Sequence, residues 1–294
     1  MDDADAALRK ASIPMQVVCA IAVVLNLLVV LVFARTKQLR VKYYGFLFNL
    51  VLADIAFPTT MIIFVHLKRV PIVIALTRAF LLTAQLNILA VAVNRLLALS
   101  LMPPARYDAV VTPARMVLAC LLIWIVSAAL FVPTTFLQDR KLNWLIQALL
   151  PLITLLTTGV LYFVVFRKIS KYRAPLAYTE GIYNVDEQTN SRIRQTRHLM
   201  VTFTIIFVAS AVCWLPFCVV FFILFAHGKT SFSVMVGLRY CFTIMVLNSA
   251  LNPFVYWWRL KEGREALYHL FCGCRNNQGK ERERDSVTIA ETEM

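Results

Sequence analysis

Seven stretches of predominantly apolar residues, each long enough to cross a bilayer, alternate along the chain with short clusters of basic residues. They fall at 13–34, 43–67, 70–102, 114–137, 142–166, 199–226 and 232–258. A helix of about 20 apolar residues spans the ~30 Å of hydrocarbon in a membrane. None of the stretches alternates with period two, which excludes a β-barrel. The pattern predicts an all-α protein, a seven-transmembrane helix bundle. Thr77-Arg78 breaks the apolar run of the third span and is expected to leave its outer end partly wet. After the seventh span, Leu260–Phe271 (LKEGREALYHLF) sets bulky residues at 260, 267, 270 and 271 among charges, as a short amphipathic eighth helix on the membrane surface would.

These boundaries divide the chain into an amino terminus (1–12), a seven-helix transmembrane domain (13–258), an amphipathic segment (259–274) and a polar tail (275–294) expected to be disordered. Residues 170–197 are expected to form the one long polar connection between spans. The first apolar run is full-length and carries no small-residue cleavage site, so it reads as an uncleaved signal anchor.

Composition agrees: only 16% of residues are charged, against about 25% in soluble domains, and mean hydropathy is +0.71. The net charge of +14 could suggest nucleic acid, but its basic residues are dispersed between spans and form no contiguous face, so nucleic acid is excluded as a partner. Loops facing anionic membrane lipids carry charge in this way. With the amino terminus extracellular, twenty Lys and Arg residues fall on the cytoplasmic side and seven outside, which sets the orientation. A multi-pass protein of the plasma membrane is expected. Of seven cysteines, five lie inside spans and Cys272 and Cys274 follow the last, which is no disulfide framework.

Polar residues inside spans need a reason, because each is costly in hydrocarbon unless partnered. Asp54 is the only acid within any span. It must face the bundle, with Asn26, Asn248, Ser249 and Asn252 as natural partners at similar depth. Two readings stand: a neutral aspartic acid used in packing, or an ion site, with sodium the candidate metal and no other cofactor expected. Pro58, Pro151, Pro216 and Pro253 lie well inside spans, where each removes a backbone hydrogen bond.

Two of these prolines sit in recognisable company. Cys213-Trp214-Leu215-Pro216 and Asn252-Pro253-Phe254-Val255-Tyr256 resemble the CWxP and NPxxY motifs of rhodopsin-like (class A) G-protein-coupled receptors. Asn26, Leu52-Ala53-Asp54, Asn94-Arg95, Trp124 and Leu247–Leu251 match that family in order, each on the expected span. The resemblance implies a signalling receptor and no enzyme, with a heterotrimeric G protein and arrestin as partners. It assigns Arg95, beside Asn94, to G-protein coupling, Trp214 to ligand sensing, Pro216 to a hinge, and Asn252, Pro253 and Tyr256 to holding the active state. It places Asp54, Asn26, Asn248, Ser249 and Asn252 in a sodium and water network. For Arg95 the plain alternative is an interfacial anchor with its charge at the membrane surface.

The chain departs from the family in places. Asn94 stands where an acid usually precedes the arginine, which implies a loosened resting state. Tyr162 lies three residues beyond the family spacing from Pro151, Ser210 replaces a phenylalanine, and Ala84 replaces a serine of the sodium network. Val70 stands where the cysteine of the usual outer disulfide would be. Thr77 replaces the aspartate that binds amines, and the seventh span has no lysine for retinal. The missing disulfide and short outer loops resemble the lipid, cannabinoid and melanocortin receptor group. The extracellular ligand is therefore expected to be a lipid, peptide or small anion. Thr77, Arg78, Trp214 and Arg239 are the ligand-binding candidates, although both arginines could instead reach the outer interface.

Cys272 and Cys274 suit palmitoylation, and Thr292 to Met294 end the chain in a pattern that PDZ proteins bind. Two other functions compete. One is a constitutively active or ligand-independent signalling protein, the other a transporter. A transporter would show several intramembrane charges and internal repeats, neither of which is visible.

Overall fold

A computed structural model describes residues 2–35, 45–67, 70–101, 104–136, 139–178, 187–259, 264–265 and 267–268. Among them are eight helices: α1 (Asp2–Arg35), α2 (Gly45–His66), α3 (Pro71–Ser100), α4 (Pro104–Val110), α5 (Pro113–Thr135), α6 (Arg140–Tyr178), α7 (Glu187–His227) and α8 (Phe232–Arg259). Seven are long and apolar enough to cross a membrane. The short α4 is the exception, so spans four to seven are α5 to α8.

The helices close into a ring in which α1 packs on α2 and α8, and α6 on α7, which packs on α8. α3 runs through the middle, against α2, α5, α6 and α7. Its sequence allows this, since small residues (Ala75, Ala79, Ala84, Ala92) recur among its buried positions. α5 is peripheral: Val117, Leu118, Leu121 and Ile125 are all more than half exposed, a face that hydrocarbon solvates and water does not.

Local chemistry sets several helix ends. Thr112 accepts from the Arg115 amide at 3.3 Å, with Pro113 opening α5. Asp139 accepts from the amides of Lys141 and Leu142 at 2.9 and 3.2 Å and so caps α6. At the end of α7, Gly228 takes φ +66 and returns its amide to the Leu224 carbonyl at 2.9 Å.

Several elements differ from the sequence expectation. α1 begins at Asp2, so most of the expected separate terminus is the helix's first turns. Ala, Leu, Arg and Lys in its first turns favour helix. α3 is unbroken across Thr77-Arg78, because the Thr77 hydroxyl donates to the Val73 carbonyl at 2.7 Å and needs no water. The expected long connection at 170–197 is shortened from both sides by α6 and α7. Of the expected amphipathic segment, Arg264, Glu265, Leu267 and Tyr268 are described and helical, and Leu267 packs against the bundle core. Cys272, Cys274, Thr292 and Met294 lie outside the described residues.

Among the described residues, the two largest of four apolar clusters fill most of the bundle. One holds Leu47, Leu50, Val91, Phe203, Ile206 and Tyr256. The other holds Met15, Phe57, Trp214, Phe217, Phe221 and Met245. The polar partners of Asp54 lie on α8, one of the helices that supply both clusters.

Candidate functional site

Asp54 is fully buried, and its two oxygens accept from different residues of α8. Ser249 Oγ donates to Oδ1 and Asn252 Nδ2 to Oδ2, both at 2.7 Å. Asn26 joins through the backbone. Pro253 has no N–H, so the Ser249 carbonyl four residues earlier loses its helical donor. Asn26 Nδ2 fills that vacancy at 3.0 Å and also donates to the Ala22 carbonyl at 2.9 Å. Ser210 Oγ donates to Asn248 Oδ1 at 2.9 Å, which ties α7 to α8 where the family has an aromatic ring. The sequence-predicted set of Asn26, Asp54, Asn248, Ser249 and Asn252 therefore meets with Ser210 in one polar layer. Its donor atoms are hard oxygens, and Asn26 Oδ1 is buried without a partner, a set that fits a small hard cation.

A second polar chain lies beside it. Trp124 Nε1 donates to Asn49 Oδ1 at 2.8 Å, Asn49 Nδ2 to Asn87 Oδ1 at 2.7 Å, and Asn87 Nδ2 to the Thr83 carbonyl at 2.9 Å. It bolts α5 and α2 to α3. Motif matching names Trp124 and passes over Asn87, although the rule that singles out Asp54 applies to every polar side chain in a span.

On the Arg78 side of this layer lies a cavity with an empty volume of about 980 Å³, part of it open at the mouth. Trp214, only 2% exposed, forms part of its wall and meets Phe217 edge to face at 6.2 Å. Phe64, Phe131, Trp144 and Phe221 make the lining strongly aromatic. Arg78 lines it too and donates to Asn143 Oδ1 at 3.2 Å, an oxygen that also accepts from Gln147 at 2.9 Å. Thr77 is on the wall, with its hydroxyl committed to Val73. Arg239 is not among the lining residues. It stacks on Phe64, its guanidinium carbon 5.5 Å from the ring centre. Gln85 lines the cavity as well, and nothing in the motif reading singles it out.

At the other end Arg95 itself is sealed, although an apolar groove between α3 and α5 reaches Asn94 beside it. Arg95 is 2% exposed, with its guanidinium 5.5 Å from the centre of the Phe203 ring. Tyr107 of α4 is fully buried and donates to Asn94 Oδ1 at 2.9 Å. Asn94 has therefore lost the charge of the family's acid but keeps a partner, from an element that the apolar pattern does not reveal. Tyr162 and Tyr256 share one buried cluster, and neither hydroxyl has a hydrogen-bond partner among the described residues. The shifted spacing of Tyr162 still brings its ring into the core, where it meets Phe207 at 5.4 Å. Pro216 and Pro253 lie within the continuous helices α7 and α8.

Comparison with known proteins agrees with this geometry. The family model described as "7 transmembrane receptor (rhodopsin family)" matches residues 25–143 and 138–256. An adenosine receptor A3 from Ovis aries is 25% identical over 290 residues, covering 86% of this chain and 86% of that protein. A sphingosine 1-phosphate receptor 2 from Rattus norvegicus is 27% identical over 275 residues, covering 87% and 75%. A melanocortin receptor 3 from Homo sapiens is 22% identical over 268 residues, covering 85% and 81%.

Proposed function

The chain belongs to the rhodopsin family of seven-transmembrane, G-protein-coupled receptors, a multi-pass membrane receptor and not an enzyme, and from that premise we propose how it signals. It sits in the plasma membrane with its amino terminus and the Arg78 end outside, the orientation that the basic loops favour. An extracellular ligand enters the cavity, and a heterotrimeric G protein is engaged at the Arg95 end. The observation that carries this reading is the juxtaposition of an open, aromatic-lined cavity at one end with a sealed arginine at the other.

The resting state is the closed one. A ligand that binds better to an open arrangement shifts the population towards it, by no more than its difference in affinity. Trp214, on the cavity wall and on the same helix as Pro216, couples ligand to the movement of α7. Opening releases Arg95 from Phe203 and gives the hydroxyls of Tyr162 and Tyr256 the partners they lack here. The Tyr107–Asn94 bond restrains basal signalling, which favours a ligand-gated receptor over a ligand-independent one.

The ligand is an amphiphile with an anionic head and an apolar body. The cavity wall is mostly apolar, and Arg78 is the cation on it, with no carboxylate paired to it among the described residues. The sphingosine 1-phosphate receptors among its relatives are named for a ligand of this general kind. A sodium ion bound by the oxygens of Asp54, Ser249 and Asn248 would stabilise the resting state. Arrestin binding, palmitoylation at Cys272 and Cys274 and a PDZ partner at Thr292 to Met294 complete the proposal, on the sequence alone.

The test is reconstitution in lipid vesicles with purified G proteins of each class. Guanine-nucleotide exchange should exceed that of the Arg95→Ala variant and rise with an anionic amphiphile. Exchange equal to that variant's with every G protein would overturn the reading.

A further inference from the structure

Arg78, Leu81, Leu82 and Gln85 occupy the i, i+3, i+4 and i+7 positions of α3, and all four line the cavity. They form one stripe along its wall. Arg78 and Gln85 stand two turns apart, about 10.5 Å along the axis at 1.5 Å per residue. The upper end of the stripe is a cation. At the lower end is a neutral amide, which offers one acceptor and two donors.

Gln85 is 2% exposed, and neither its Nε2 nor its Oε1 has a hydrogen-bond partner among the described residues. Such double deprivation is rare in folded proteins, where a buried amide normally finds partners. Nearby polar groups do not answer it. The Thr77 hydroxyl is bonded to Val73, and Gln147 to Asn143. Its neighbours one turn away on the same face, Leu81, Leu82, Ile88 and Leu89, are apolar. A water there would find few partners besides Gln85 itself.

We propose that Gln85 is the deep polar anchor of the ligand. The ligand is then an amphiphile with two polar functions about 10 Å apart: an acidic group at Arg78 and a hydroxyl or amide at Gln85, joined by an apolar chain along Leu81 and Leu82. The inference rests on the cavity being the receptor's ligand site. It goes further in requiring a second, uncharged hydrogen-bonding group, which a plain fatty anion lacks.

Two probes separate these requirements: stearate, and stearate carrying a mid-chain hydroxyl. Their binding is measured to the full chain in phosphatidylcholine nanodiscs. The hydroxylated acid should bind wild type about ten-fold more tightly than stearate, the worth of one buried hydrogen bond. In Gln85→Leu the two acids should bind alike. Arg78→Gln should weaken both by about ten-fold and leave their ratio unchanged. Without ligand, Gln85→Leu should melt about 2–4 °C higher than wild type, since it removes an orphaned amide from an apolar wall. Gln85→Met, of different shape, should do the same.

Equal affinity of wild type for the two acids overturns the inference, as does a melting temperature that is unchanged or lower in both Gln85 variants. If neither acid binds while nucleotide exchange on G protein persists, the ligand class is overturned and the receptor reading stands. If the acids discriminate as expected but no G protein responds, the inference stands and the receptor reading falls.

Discussion

At the Arg78 end the bundle holds an open-mouthed cavity lined by aromatic rings, whereas at the Arg95 end an entire arginine side chain is 2% exposed. The same long helices build both ends, so the difference lies in what fills the space between them. At the first end, aromatic and leucine side chains from α2, α3, α5, α6, α7 and α8 line the cavity without filling it. At the second, Leu99, Val165 and Met200 pack together, Arg95 covers Phe203, and Tyr107 closes on Asn94. An unfilled apolar volume forgoes dispersion contacts and favours any ligand that supplies them. A sealed charged side chain favours the state that keeps it sealed. Between them lies the Asp54 layer, whose hydrogen bonds tie α1, α2 and α7 to α8.

Six substitutions at five positions would break or sharpen this contrast. The largest effect is expected at the sealed end. Arg95→Ala should reduce ligand-stimulated nucleotide exchange by at least ~30-fold, as truncation of a buried anchor worth ~2 kcal/mol or more does. Normal exchange would show that Arg95 is only an interfacial anchor. Next comes the layer. Asp54→Leu leaves Ser249 Oγ and Asn252 Nδ2 without acceptors, at about 1–3 kcal/mol for each orphaned group. Its melting temperature should fall by several degrees. Asp54→Asn should melt nearer to wild type but lose any rise in melting temperature with sodium, and a sodium response that survives would place the ion elsewhere.

A smaller effect is expected for Tyr107→Phe, which removes one hydroxyl and leaves Asn94 Oδ1 unpaired. Basal exchange should rise about five-fold, corresponding to ~1 kcal/mol taken from the closed state. Asn94→Asp, which strengthens the bond with Tyr107, should lower it, and an unchanged basal rate in both would assign the restraint to other groups. Ser210→Ala is the mildest. It removes the donor to Asn248 Oδ1 and should cost ~1 kcal/mol, read as a drop of about 2 °C in melting temperature. No drop would mean that the Ser210 bond adds nothing to the layer.

The seven spans were legible because hydrocarbon imposes a simple rule: a helix that crosses it must be long and apolar. Asp54 and its partners were legible for the complementary reason, since a carboxyl group in a span must be answered by polar groups at its own depth. Asn87 obeys the same rule and Gln85 breaks it, and both were overlooked because no motif draws attention to them. Tyr107 could not have been found this way. It lies between spans, where composition carries little information, and its role depends on how α4 folds back against α3. Arg239 shows the converse, a cation that position along the chain places near the ligand and packing places against Phe64, off the cavity wall.

The amino-acid sequence by itself determined the membrane as solvent, the number of spans and the family. Each of these follows from transfer energies or short motifs, which act residue by residue. Only the tertiary structure decided which end is open and which is sealed, that Asn94 is held by Tyr107, and that Gln85 faces the cavity without a partner. Those outcomes depend on which side chains from different helices occupy one volume, and that is settled by packing, after every local preference has been met.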